Sequence, residues 1–162
     1  MPNLSIVNNI ISKPEHRQDL TIIEALFGST TEGFAGNNAT ISLSGKKLVV
    51  LATDNDGYAY QSWGASLGKY PVTPGVTYTA TWKWYQSNNP STQGSGKIKL
   101  GSTDGGTEYA LGEYGSGAVT LTQIVPFRAT ADVLYLRLQT NHNTKKTYWD
   151  NIIIKEWDGQ PV

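Results

Sequence analysis

From residue 38 onward, apolar and polar side chains alternate in nearly every segment, and a side-chain period of two fits strands that bury one face and wet the other. Ala39, Ile41 and Leu43 share one face, Thr40, Ser42 and Ser44 the other, and a turn at Gly45 returns the chain through Leu48, Val50 and Ala52. That pattern predicts a hairpin. Between Val76 and Gln86 the inward set is Val76, Tyr78, Ala80, Trp82 and Trp84, with Thr77, Thr79, Thr81, Lys83 and Tyr85 opposite. Two further buried series are predicted: Val119, Leu121, Val125 and Phe127, then Leu134, Leu136 and Leu138, the latter flanked by outward Tyr135, Arg137 and Gln139. Near the C-terminus the alternation breaks at Asp150 and Asn151. Trp149, Ile152 and Ile154 can share a face only across a β-bulge. Turn signals separate these runs at Asp56-Gly57, Pro74-Gly75, Ser87 to Gly96 and Gly101 to Gly117. Eight to ten short strands so spaced predict an all-β fold, a two-sheet antiparallel β-sandwich.

The first thirty residues read differently. Ser12-Lys13-Pro14-Glu15 forms a capping box ahead of Leu20, Ile23, Leu26 and Phe27, with Gly28 as a C-terminal cap, which describes a short amphipathic helix. The run from Leu20 to Phe27 equally describes a first strand, on the β-propensity of Thr21, Ile22 and Ile23. Both readings stay open. Residues 1–19 form an N-terminal arm ahead of a domain over 20–162. Leu4, Ile6, Val7, Ile10 and Ile11 make that arm too apolar for an idle tail, so it is expected to dock on this domain or on a neighbouring subunit.

Composition narrows the function classes. The 162 residues can bury a two-layer core without covalent staples, and with no cysteine there is neither a disulfide nor a thiolate for catalysis or metal binding. Thirteen acidic residues balance thirteen Lys and Arg, so a nucleic acid backbone meets no net attraction and is not an expected partner. The start carries no signal-peptide pattern, no membrane partner is expected, and no stretch approaches the ~18 apolar residues of a spanning helix. His16 and His142, the two imidazoles, lie in no nucleophile motif and lack metal-ligand spacing, so no zinc site is expected. Asp54, Asp56, Asp104, Glu108 and Glu113 all read as solvated turn acids rather than a hydrolytic pair. The chain is therefore expected to be no enzyme.

The closing segment TYWDNIIIKEW (Thr147 to Trp157), together with NATISLSGKKLVVLAT (Asn38 to Thr53) and YAYQSW (Tyr58 to Trp63), resembles the jelly-roll carbohydrate-binding modules of bacteria and phages. The likeness spans roughly residues 30 to 157 of one domain. It implies a galactose-binding-like jelly roll whose last strand lies beside its first. It also implies a structural calcium as the one cofactor to consider, held by the Asp that precedes Asn in the closing strand, here Asp150; no other metal is expected.

Saccharide binding needs aromatic faces for pyranose rings and polar groups for hydroxyls. Tyr85, Tyr135, Arg137, Gln139 and Lys83 are expected to line one sheet surface, with Tyr58, Tyr60, Trp63 and Tyr70 at an edge or loop. The same residue types populate protein interfaces, and Trp63 and Trp157 could equally anchor a neighbouring subunit. Two functions follow. The first is a phage virion accessory protein, a capsid decoration or cement unit or a tail accessory. It would dock through the arm and Trp157 on other virion proteins, assemble as a homo-oligomer such as a trimer, and be released by lysis. The second is a polysaccharide-binding module of a degradative enzyme or receptor-binding protein. The virion reading is favoured by the arm, the neutral charge and the single-domain length.

Overall fold

The computed structural model describes residues 20–53, 57–63, 66–67, 69–87, 89 and 91–159, with the backbone alone over 57–63 and 66–67. Thirteen strands are present among them: β1 Thr21–Ala25, β2 Phe34–Asn37, β3 Ala39–Leu43, β4 Leu48–Ala52, β5 Gly57–Trp63, β6 Ser66–Leu67, β7 Lys69–Pro71, β8 Thr77–Tyr85, β9 Gly96–Gly101, β10 Ala110–Tyr114, β11 Leu121–Arg128, β12 Val133–Thr140 and β13 Lys146–Glu156. They form two antiparallel sheets. Sheet A runs β11-β8-β13-β4-β3 with β1 also on β13, and sheet B runs β10-β9-β12-β5-β2 with β7 on β12 and β6 on β5. Facing apolar sides make the core, an all-β sandwich as predicted.

Residues 21–25 are a strand, so the helical alternative is overturned over this stretch. Ile23 and Ala25 point into the core while their backbone pairs with Ile154 and Ile152 of β13, and that partner decides between two readings that the short apolar run allows. The capping box at Ser12 to Glu15 and the arm lie outside the described residues. The last strand does lie beside the first.

The predicted hairpin forms with Ala39 opposite Ala52 and Leu43 opposite Leu48. Gly45 and Lys46 both take positive φ, 54° and 60°, between reciprocal Ser44 and Lys47 backbone hydrogen bonds of 3.0 and 3.2 Å. This is a type I′ turn, whose twist matches the strands and which asks for φ > 0 at both central residues. Lys46 meets that demand at a steric cost that glycine does not bear. Lys46→Gly is therefore expected to raise the unfolding free energy by about 0.5–1 kcal/mol, with chemical denaturation as the check; a loss of stability would contradict the turn assignment. At Pro74-Gly75, the Val76 N–H donates to Thr73 O at 3.1 Å and Gly75 has φ 84°, a type II turn.

The bulge is present. Asp150 pairs with Lys83 and Ile153 with Thr81, leaving Asn151 and Ile152 opposite Trp82 alone. Asn151 takes φ 48°, its N–H held by Asp150 Oδ1 at 2.8 Å, and Trp149, Ile152 and Ile154 all end in the core. The bulge also sits where β13 passes from β4 (Lys146 to Trp149) to β1 (Ile152 to Lys155).

Two expectations fail. Val119 is exposed, because the strand begins at Leu121. β11 is an edge strand, which lets Pro126 sit in it without breaking a ladder on both sides. The Gly-rich run from 101 to 117 is not all turn, since β10 occupies its middle. Gly112 there faces Trp82, and a Cβ would stand 2.8 Å from Ile98 Cγ2 and 3.0 Å from Trp82 Cζ2.

Candidate functional site

The outer face of sheet B is built around β12. Leu134, Leu136 and Leu138 are buried, so the alternating Tyr135, Arg137 and Gln139 turn to the outer side of sheet B. Register then assembles rows across the sheet. Gln139 lies opposite Lys97 on one side and Tyr58 on the other, and Lys97 opposite Glu113. Arg137 lies opposite Lys99, and Lys99 opposite the exposed Leu111, while Tyr135 lies between Gly101 and Lys69.

Several of these side chains have partners within the face. Arg137 meets Asp104 Oδ1 at 2.7 Å, and Lys97 meets Glu113 Oε1 at 2.6 Å. Gln139 Nε2 donates to Asn141 Oδ1 at 3.0 Å. The loop that carries Asp104 is braced by Glu108, whose Oε1 accepts from Ser102 Oγ at 3.3 Å and Thr103 Oγ1 at 3.4 Å. Its own backbone N–H and these hydroxyls hold the Glu108 carboxyl below the usual carboxylate range. Such pairs at the surface add little stability. Their effect is to hold donors and acceptors in place, which lowers the ordering cost of binding.

The expected single surface divides in two. Tyr135, Arg137 and Gln139 share sheet B, but Tyr85 and Lys83 lie on β8 and face outward from sheet A, on the opposite side of the sandwich. Period two tells inward from outward and is silent on which sheet a strand joins. Tyr70 is buried, not an edge residue, and that burial raises its hydroxyl pKa well above the ordinary value. Tyr60 enters only as backbone opposite Ala35, and the Trp63 side chain lies outside the described residues, as do Leu4, Ile6, Val7, Ile10 and Ile11. Trp157 is 38 % exposed, with its N–H bonded to Thr77 O at 3.0 Å.

Asp150, the residue the resemblance implies for calcium, is engaged locally. Its carboxylate accepts the Asn151 N–H and it lies opposite Lys83, and among the described residues no group of three or more His, Asp or Glu converges. Asp104, Glu108 and Glu113 are each engaged by a cation or hydroxyls, and His142 is exposed in the β12–β13 loop. The arrangement is equipped to hold polar ligands. No helix among the described residues is long and apolar enough to cross a membrane.

Lys97, Lys99, Glu113 and Leu111 of the sheet B face were not read from the sequence. The alternation of Gly96 to Gly101, Lys97 and Lys99 between Ile98 and Leu100, would have located the two lysines. Leu111 and Glu113 were hidden by their glycine-rich surroundings.

No family model and no curated protein sequence matches the chain. Solved structures do share its fold. The CBM22-1–GH10 modules of Clostridium thermocellum xylanase 10B, complexed with xylohexaose, superpose with a TM-score of 0.56 at 13 % identity over 90 % of this chain, which spans 30 % of that one. A CBM4 carbohydrate-binding module gives 0.56 at 13 % identity, covering 78 % of this chain and 96 % of its own. A cyclase from Fischerella sp. TAU gives 0.51 at 12 % identity over 89 % and 100 %. The fold is that of a carbohydrate-binding-module-like jelly roll, and this fold also serves other functions.

Proposed function

We propose that this carbohydrate-binding-module-like jelly roll is a non-catalytic glycan-binding domain that reads a polysaccharide on the outer face of sheet B. The observation that carries the reading is the register that sets Tyr135, Arg137, Gln139, Lys97 and Lys99 side by side, with Arg137 and Lys97 anchored by Asp104 and Glu113. Tyr135 supplies a ring for the apolar side of a pyranose, the guanidinium and ammonium groups supply donors to its hydroxyls, and Gln139, buried beneath, braces Asn141. Jelly-roll neighbours that bind saccharides support the reading. The virion-accessory expectation draws on the arm over residues 1–19, the neutral charge and the single-domain length, and no feature of the described residues favours it over saccharide binding.

Affinity electrophoresis through gels containing xylan, β-glucan or galactan tests the proposal. Retardation by at least one polysaccharide is expected, with Tyr135→Ala and Arg137→Ala each weakening the affinity about tenfold, or about 1.4 kcal/mol. Both side chains are partly exposed, so both variants should keep the wild-type unfolding midpoint. Retardation by none of the three gels, or retention that ignores both substitutions, overturns the assignment.

A further inference from the structure

A cleft of about 280 Å³ opens at the far end of the outer face of sheet A, remote from Tyr135 and Arg137. Lys47, Tyr85, Tyr148, Ser87, Asn89 and Thr92 line it. Tyr85 and Tyr148 are register partners on adjacent strands, so their rings form one aromatic floor. Lys47 Nζ stands 4.4 Å and Lys83 Nζ 4.7 Å from the centre of the Tyr85 ring. The wall opposite the hairpin is a loop tied down from beneath. Gln93, 1 % exposed, accepts the Ser87 N–H on Oε1 at 2.6 Å and donates from Nε2 to Tyr85 O at 3.1 Å. Lys145 Nζ donates to Ser91 O, Asn89 N–H to Ser87 Oγ at 3.1 Å, and Thr92 Oγ1 to Asn89 O at 2.9 Å.

The charge in this cleft is cationic, with one carboxylate at its edge. Among its lining residues Lys47 is the charged one, and Lys83 adds a second cation at the edge of the aromatic floor. The acid facing Lys83 is Asp150, whose carboxylate is already occupied by the Asn151 N–H. The Tyr85 side chain first, and Asp150 after it, hold the Lys83 pKa above its ordinary value, so Lys83 is an ammonium. Aromatic rings, hydroxyl and amide groups, and two lysines against one facing carboxylate together describe a receptor for a sugar that carries an anion.

We propose that this cleft is a second saccharide site, specific for a uronic acid residue whose carboxylate is taken by Lys47 and Lys83 while its ring lies on Tyr148. The site goes beyond the polysaccharide reading of sheet B and stands or falls separately from it. Oligogalacturonide titrated into the ¹⁵N-labelled full chain should shift amides of Ser87, Asn89 and Thr92, and galactan oligomers of equal length should not. Lys47→Gln and Tyr148→Ala should each weaken the acidic ligand at least tenfold, and raising the salt from 50 to 500 mM should weaken it further. The Tyr135→Ala/Arg137→Ala double variant should leave this binding intact while it abolishes retention by neutral polysaccharide. Equal binding of acidic and neutral oligomers, absence of shifts, or loss through the sheet B variant with none through Lys47→Gln overturns the second site. The first and second of these outcomes leave the sheet B assignment untouched.

Discussion

Trp84→Ala is expected to lower the unfolding free energy by about 3–5 kcal/mol and the thermal midpoint by roughly 10 °C. The Trp84 side chain is fully buried and spans the two sheets. From β8 in sheet A it stacks on Tyr114 of β10 in sheet B, with ring centres 4.9 Å apart and planes at 15°, and it meets the edge of Trp149 at 5.0 Å and 75°. Truncation removes this ring contact between the layers and leaves a cavity that rigid strands cannot close. The indole N–H allows a sharper test. Nε1 of Trp84 is buried with no hydrogen-bond partner, whereas Nε1 of Trp82 donates to the Tyr114 hydroxyl at 2.6 Å and that of Trp149 to Thr147 Oγ1 at 2.9 Å. Replacing an unpartnered buried donor by carbon removes a desolvation penalty, whereas replacing a partnered one strands its acceptor. Trp84→Phe should therefore cost at least about 1 kcal/mol less than Trp82→Phe or Trp149→Phe. Urea denaturation followed by circular dichroism measures all four variants. A Trp84→Phe cost equal to those of the other two would contradict the orphan indole.

The same tryptophans show how far the chain announces its own fold. β8, β12 and β13 were legible because each alternates over most of its length, and the bulge at Asp150-Asn151 followed from the one place where β13 breaks the alternation. The pairing of these strands was not legible. Tyr85 and Tyr135 both point outward, and it is long-range register, not local pattern, that sends them to opposite sides of the molecule. β10 escaped notice because its central Gly112 is demanded by Trp82 and Ile98, neighbours 30 and 14 positions away in the chain, while its local sequence reads as turn. Gln93 escaped for a related reason, since a glutamine in a polar loop carries no mark of the two backbone groups it holds. The sheet B face was half legible. The outward parity of β12 was read, although Gln139 at its end is buried, and its neighbours on β9 and β10 belong to the candidate site only through register.

Thr140→Val is expected to cost about 1–3 kcal/mol, although it preserves shape and adds no volume to speak of. Thr140 Oγ1 donates to Val50 O at 3.1 Å, so its single proton is committed, and the 2.6 Å contact with Thr147 Oγ1 must be donated by Thr147. Thr147 Oγ1 in turn accepts the Trp149 indole N–H at 2.9 Å. Protons thus run in one direction, from Trp149 to Thr147 to Thr140 to the Val50 carbonyl. Because Thr140 belongs to sheet B and the other three to sheet A, the chain of donors crosses the core and returns. Both threonines are 0 % exposed, so water cannot replace a missing member. With Thr140 removed, the Thr147 hydroxyl loses its acceptor and Val50 O loses a donor, each in a low-dielectric interior that strengthens the bonds and the penalty for losing them. Thr140→Ser keeps the hydroxyl and discards only a methyl group, and should destabilise less than Thr140→Val. If the order is reversed in urea denaturation, close packing of the methyl group is what Thr140 contributes, and the polar thread between the sheets contributes little.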